Sequence, residues 1–387
     1  MLQSFVKTAL AVLLLAAFTP QQAAADASSL PSHSNGSMLF CEELYERLNF
    51  FYPDENMTEP FRIAPILHID DLSRIDGRHF EFDVGYLLYL TWQDPRVTEL
   101  LKELGRFDDV DVKWLCDWRQ EDAWGKKKLF DPTIEFKKRE TEIDFNTDRA
   151  DYIEVYSDGT LVARTKDFST FRSTFDLRLF PFDSQTLRLT LEPEFTTDIV
   201  VFDTGISLQQ LQTWIPLQPL KEEFHGSLTP EWEITDIRSK VEDYYQIDLH
   251  YSLFVKEIEV RRKAGYYLVR IFLPMIFLFA LCWSVFWIHP SEIQAKVNVT
   301  IVAFLSLIAY HLSLSDELPR VNYLTFIDAF IFLSYLFTGS ATFFCILLHN
   351  LHQSMNTDRT VHYVRLLGPV FYLAGISCLT LYYLAVY

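Results

Sequence analysis

The residues with chemistry to offer fall in four places. In the stretch Val241-Glu-Asp-Tyr-Tyr-Gln-Ile-Asp-Leu-His-Tyr251, Glu242 and Asp243 stand beside Tyr244 and Tyr245. Carboxylates next to aromatic faces suit a cationic amine, through charge pairing and cation–π attraction. The plainer alternative is a set of exposed strand-end acids and rim tyrosines on an acidic domain. Asp108, Asp109 and Asp111 crowd hard oxygen ligands together and could bind calcium weakly. His311 is the ionisable group of note in the apolar run Val297 to Leu314, which makes it a pH-sensor candidate. Its plainer alternative is a neutral imidazole bonded to a neighbouring helix. In Phe180-Pro181-Phe182-Asp183-x-Gln185 a proline separates two large rings, so this segment is a turn that needs apolar cover. The sequence has no His-Glu-x-x-His, Gly-x-Ser-x-Gly or Gly-rich phosphate loop, which argues against an enzyme. No cofactor is implied beyond possible modulation by calcium.

Those residues are carried by two unlike parts of a 387-residue chain. Lys7, the apolar run Ala9 to Phe18 and Ala23-Ala24-Ala25 read as a secretory signal peptide over residues 1–25. The competing possibility, a fifth membrane helix, has too short an apolar run. Residues 26–60 form an N-terminal segment with a short helix near Leu39 to Phe50. Residues 61–263 are rich in alternating, β-branched and aromatic residues, with Asp76-Gly77 and Asp158-Gly159 as turn signals. They predict an antiparallel β-sandwich, with one further helical stretch near Val97 to Gly105. Residues 264–387 hold four long apolar runs, which predict membrane helices at about 265–288, 296–315, 324–349 and 362–387. The fold class is therefore α+β, a β-sandwich followed by a four-helix transmembrane bundle. An exported N-terminus puts the C-terminus outside too. Lys296, Arg359 and Arg365 then outnumber Glu292 and Asp358 in the two cytoplasmic connections, as positive-inside orientation requires.

The formal net charge is −18. From Ala264 onward acids and bases cancel, and Lys7 is the one charge in the leader, so residues 26–263 carry −19. That field repels nucleic acid and attracts cations; simple solubility accounts for it equally well. Cys282, Cys345 and Cys378 lie in apolar runs as packed thiols. Cys41 and Cys116 lie in the exported part, where an oxidising compartment could join them; the sequence leaves that open.

Several landmarks occur together in a fixed order: Trp92-x-Asp94-x-Arg96, Phe180-Pro-Phe-Asp-x-Gln185, Arg262 ahead of the first apolar run, Pro274 within it, Leu318-Pro319 after the second, and Tyr323-Leu-Thr-Phe-Ile-Asp328 opening the third. From about Phe61 to its end the chain resembles a bacterial member of the pentameric ligand-gated ion channels, the superfamily that includes the Cys-loop receptors. Ser173 and Leu187 stand where the signature cysteines would fall, and the link between the third and fourth spans is short, as in the prokaryotic branch. The segment Val97 to Lys128 is longer than the family pattern.

The resemblance implies a homopentamer in a bacterial inner membrane, with the β-domain and the C-terminus periplasmic, gated by a small-molecule agonist, an amine among the candidates, or by protons. The second span would line the pore with Asn298, Val302, Leu305, Ala309 and Leu312, and Asp316 would ring the outer mouth. Apolar rings close a pore by dewetting. The resemblance further implies an agonist site at Glu135, Glu194 and Phe195 beneath the hairpin bearing Glu242, Tyr244 and Tyr245. In the coupling interface Phe180, Pro181 and Phe182 would rest on the helix ends near Pro319. Asp183 would pair, half out of water, with Arg262, and Asp76 would also be in reach. Charge favours cations as the permeant ions, although Gln294 and Ala295 precede Lys296 where cation channels of the family often carry an acid. A periplasmic sensor anchored by four non-conducting helices is the alternative function.

Overall fold

The structure, a computed structural model, describes residues 35–48, 59–106, 113–117, 130, 132, 134–143, 149–204, 230–289, 292–314, 321–352 and 358–387. The expected signal peptide over residues 1–25, the aspartate cluster at Asp108, Asp109 and Asp111, and the segment with Asp316 and Pro319 lie outside the described residues. The chain divides into two compact units, one of residues 1–52, 94–130 and 151–161, the other of residues 53–93, 131–150 and 162–387.

The first unit holds α1 (Asn35–Arg47), α2 (Pro95–Glu103), β3 (Lys113–Asp117) and most of β6 (Arg149–Tyr156). Strands β3 and β6 pair antiparallel with Trp114 opposite Val155. Phe40 of α1 stacks on Trp114 at 3.9 Å, and Cys41 is disulfide-bonded to Cys116. Helix α2 starts where Asp94 caps it: the carboxylate accepts from the Arg96 N–H and Nε, both at 3.0 Å, and Pro95 fixes the first turn. The Trp-x-Asp-x-Arg landmark is thus in part a helix cap. Gly159 is required at its turn, with φ +84° and a Cβ position 2.2 Å from Thr98 Oγ1.

The second unit begins with two sheets. In one, β1 (Phe61–Asp76) pairs antiparallel with β2 (Glu81–Gln93) and parallel with β9 (Val200–Phe202). Strand β7 (Thr160–Arg172) adjoins β2, and β5 (Arg139–Ile143) pairs with β7. The other runs β10 (Trp232–Gln246), β11 (Leu249–Arg262), β8 (Ser184–Pro193) and β4 (Ile134–Lys137). In β8 exposed and buried residues alternate, sending Leu187, Leu189 and Leu191 inward. Aromatic rings join the sheets: Phe136 of β4 meets Tyr86 of β2 at 4.7 Å and Phe171 of β7 at 5.2 Å. The Asp76-Gly77 turn is wider than a two-residue hairpin. It spans residues 77–80, and Phe80 takes the positive φ of 61°.

Four helices long and apolar enough to cross a membrane complete this unit: α3 (Gly265–Trp287), α4 (Ile293–Leu314), α5 (Phe326–His352) and α6 (Asp358–Val386). The chain is a multi-pass membrane protein. Pro274 shapes the start of α3. Its ring displaces the carbonyl four residues back, that of Arg270, and the helix widens to a π turn over Leu268–Phe272. The Tyr310 hydroxyl of α4 donates to the freed Arg270 carbonyl, so the proline ties two spans together. At the other end Gly368 of α6 lies against Trp283, whose ring a Cβ there would overlap at 1.7 Å. Trp283 Nε1 donates to the Val364 carbonyl at 3.3 Å, and Arg365 Nε donates to that of Phe286 at 2.7 Å.

Candidate functional site

The junction of β-sheet and membrane helices is built around Arg262, the last residue of β11. Its Nε donates to Asp183 Oδ1 at 2.7 Å and its Nη2 to Oδ2 at 3.2 Å, a two-pronged geometry that lysine cannot reproduce. The guanidinium lies 4.0 Å from the Trp232 ring centroid and 4.8 Å from that of Phe180. Both charged side chains are buried, 1% exposed at Asp183 and 5% at Arg262, so the pair is not half out of water as expected but almost wholly out of it. Gln185 completes it, donating from Nε2 to Asp183 Oδ2 at 2.7 Å and to the Asp176 carbonyl at 2.6 Å. The pair and its amide bridge hold the loop of residues 173–183 in shape. The Phe180-Pro181 peptide in that loop is cis.

The loop reaches the helices at several points. Phe180 is buried and meets Tyr267 edge-on at 5.0 Å. Phe182 touches Phe326 at 5.5 Å and Phe272 at 6.3 Å but keeps 41% exposure, so only one of the two rings is buried as expected. The Leu177 N–H donates to the Tyr323 hydroxyl at 3.0 Å, and the Phe326 N–H donates to the Arg178 carbonyl at 2.8 Å. Ser173 and Leu187, where the resemblance would put the signature cysteines, are both buried. Asp76 does not join Arg262. It accepts from the backbone N–H groups of Arg78 at 2.8 Å and His79 at 3.3 Å, and its other oxygen lies 2.8 Å from His79 Nδ1. Burial works to raise the Asp76 carboxyl, but the His79 ring and these N–H groups outweigh it and hold the group below its ordinary value. An acid at the head of a tight turn satisfies its own turn first. Asp76 and Arg262 nevertheless line one cavity of ≈ 460 Å³ with Arg74, Arg78, Glu231 and Tyr266.

A second cavity, ≈ 450 Å³, lies between β4, the end of β8 and the β10–β11 hairpin. Glu135, Lys137, Glu192, Glu194, Gln246 and Tyr251 line it, so the structure brings Glu135 and Glu194 together. Phe195, Glu242, Tyr244 and Tyr245 are not in its lining. Arg188 and Lys240 engage Glu242 on the strand surface, at 2.8 Å and 2.9 Å. The Lys240 contact, with Arg188 adding to it, holds the Glu242 carboxyl below its ordinary value against a smaller opposing effect of burial. Lys137 covers the ring of Tyr244 at 3.9 Å. Tyr245, 68% exposed, stacks on His250 at 4.4 Å. His250 in turn bridges two elements, with Nε2 3.0 Å from Asp243 Oδ1 and Nδ1 3.0 Å from Thr197 Oγ1. Sequence reasoning missed Lys137 and His250. For Lys137 the signal existed, since residues two apart in a strand share a face with Glu135; Thr197 and His250 are too far apart in the chain to signal contact.

Helix α4 has two unlike sides. Lys296, Thr300, Ala303, Leu307 and Leu314 are buried against the other helices. Asn298, Val302, Leu305, Ala309 and Leu312 are all exposed in the single chain, on the opposite side at 3.6 residues per turn. His311 sits between these sides, and its Nδ1 lies 2.9 Å from the Tyr335 hydroxyl of α5. That is the neighbouring-helix contact of the plainer alternative. Among the described residues no group of three or more His, Cys, Asp or Glu side chains could hold a metal.

A family model for the neurotransmitter-gated ion-channel ligand-binding domain matches residues 40–264, and one for the neurotransmitter-gated ion-channel transmembrane region matches residues 271–367. The first match starts within α1, ahead of Phe61 where the resemblance was legible. Similar proteins include the glycine receptor subunit beta of Homo sapiens, 25% identical over 329 residues, which are 82% of this chain and 60% of that protein. The pH-sensitive chloride channel 2 of Drosophila melanogaster is 26% identical over 278 residues, 69% of this chain and 49% of that protein. The proton-gated ion channel of Gloeobacter violaceus is 25% identical over 286 residues, 72% of this chain and 70% of that protein. The chain spans about 60% of the length of the glycine receptor subunits it matches.

Proposed function

We propose a gated ion pore, from the premise that this chain belongs to the neurotransmitter-gated ion-channel family, within the Cys-loop superfamily. Five copies assemble in the inner membrane of a bacterium, with the β-domain and the C-terminus in the periplasm. Helix α4 from each copy faces the axis. The observation that carries this reading is the sidedness of α4: the residues buried within one chain and the residues assigned to the pore lie on opposite faces. A helix whose exposed stripe ran Asn298, Val302, Leu305, Ala309, Leu312 would place an amide ring below and apolar rings above, able to stop ions by dewetting. Agonist enters at the Glu135–Glu194 cavity, an amine or a proton being the chemistry that its carboxylates suit. The buried Asp183–Arg262 pair and the loop on Tyr323 and Phe326 carry the change to the helices.

The pore passes cations. The exported part carries −19, which concentrates cations at the mouth, and Asp316 adds a carboxylate to each copy there. Anion permeation is the second reading. It is favoured by the absence of an acid immediately before Lys296, where Gln294 and Ala295 stand, and by the likeness to a protein named as a chloride channel. Purified protein in a planar bilayer, under a sodium chloride gradient with pH and a panel of small amines varied, tests both readings. The expected result is a five-fold particle whose agonist-evoked current reverses near the sodium equilibrium potential. Reversal near the chloride potential would select the second reading. A dimer or a silent five-fold particle would leave the non-conducting sensor.

A further inference from the structure

Lys137 is a cation already seated where the cavity would take one. Its ammonium lies 3.9 Å from the ring centroid of Tyr244 and 3.2 Å from Glu192 Oε1. A ring face and a carboxylate together are the partners that hold an ammonium ion. Lys137 and Glu192 both line the cavity, and Tyr244, beneath the ammonium, does not. Two further carboxylates line the same cavity, Glu135 and Glu194; both are exposed and neither is in an ion pair among the described residues.

We propose that Lys137 is a tethered occupant of the cation seat formed by Tyr244 and Glu192, and so determines which cations the cavity accepts. The inference rests on the cavity being the ligand site. A primary amine can donate hydrogen bonds to Glu135 and Glu194 without disturbing Lys137. A quaternary ammonium ion cannot donate and depends on a ring face, which Lys137 covers. The chain therefore discriminates against quaternary ammonium, and removal of the lysine charge relaxes that discrimination.

Tetramethylammonium is the probe, and its binding to the purified full chain in detergent is measured by calorimetry, with no current needed. Lys137→Gln is expected to bind it at least about fivefold more tightly than the unmodified chain, the scale of one cation–π contact. Lys137→Arg, which keeps a cation over the ring, leaves binding unchanged. Lys137→Gln with Tyr244→Leu loses the gain, which separates the ring's share from the added negative charge. Lys137→Met, which keeps the apolar stem, repeats the measurement should the glutamine variant fold poorly. Equal or weaker binding by the Gln and Met variants, or no binding by any variant, overturns the proposal, as does a gain that persists without Tyr244. Because binding is read directly, a chain that passes no current still reports on the seat, and a failed pore and a failed seat give different results.

Discussion

Arg262 illustrates what one buried charge can do at a junction. Two oxygens of Asp183, the faces of Trp232 and Phe180, and the Tyr267 hydroxyl all address one guanidinium. Removing one partner of such a pair strands the other charge in a dry site, at about 3–5 kcal/mol. Asp183→Asn is therefore expected to lower stability by that order, measured as the melting temperature of the purified protein. Asp183→Arg and Arg262→Asp should each abolish gating, and the double exchange should restore part of the current; a double exchange no better than the single ones would count against direct pairing. The pairing was legible because the Phe-Pro-Phe-Asp-x-Gln motif and the arginine ahead of the first span belong to a known pattern. Its degree of burial was not. Enclosure by Trp232 comes from a residue 30 positions away across the β10–β11 pairing, where it faces Arg262. The resemblance puts Asp76 within reach of the same centre, but the turn's own N–H groups claim it.

At the scale of elements, the β10–β11 hairpin is laced by ion pairs: Arg261–Glu233 at 3.1 Å, Arg238 with Glu259, Lys240–Glu257 at 2.8 Å, and Arg188 and Lys240 on Glu242. Each is wholly or partly open to solvent, which screens it, so each adds only marginally to stability. Glu242 has a lowered folded-state pKa, so the folded chain releases its proton more readily than the unfolded one. Its contribution is complete above the ordinary value of 4.5 and is lost as pH falls through the lowered one. Protection of the hairpin amides from hydrogen exchange, taken relative to the intrinsic rate at each pH, should accordingly fall on acidification below that value, and Glu242→Gln should flatten the response. The spans and the alternating strand β8 were legible because length and two-residue periodicity are local properties. The Phe180-Pro181-Phe182 proline marks a turn, but the full extent of the excursion, residues 173–183, which leave the sheet to reach the helices, has no local signal. The partners that draw it away, Tyr323 and Phe326, lie far along the chain. The sides of α4 were illegible for a related reason. Its residues are apolar nearly all round, and only packing against α3 and α5 tells one face from another.

At the scale of the molecule, many large apolar side chains stay exposed on the spans of one chain, among them Phe277, Leu281, Val302, Leu305, Leu336, Phe343 and Leu381. In the proposed pentamer, lipid and neighbouring copies would divide that surface between them. Cysteine substitution separates the two: at Leu305, in a cysteine-free background, a charged methanethiosulfonate applied from water should alter the current within seconds, whereas at Phe343 it should not. Equal silence at both positions would remove α4 from the pore. Strand β11 bears on the same question of transmission. It carries Tyr251 at the cavity and Arg262 at the junction as one continuous strand; its pairing to β8 keeps register from Phe254 to Arg261, and its pairing to β10 shifts once, between Ile234 and Asp236 of β10. At roughly 3.3 Å per residue those two side chains stand about 36 Å apart on one uninterrupted ribbon. A push-rod of this kind has no joint of its own at which a movement could be absorbed. Whatever displaces its upper end must either shift the arginine below or be taken up by bending the whole sheet.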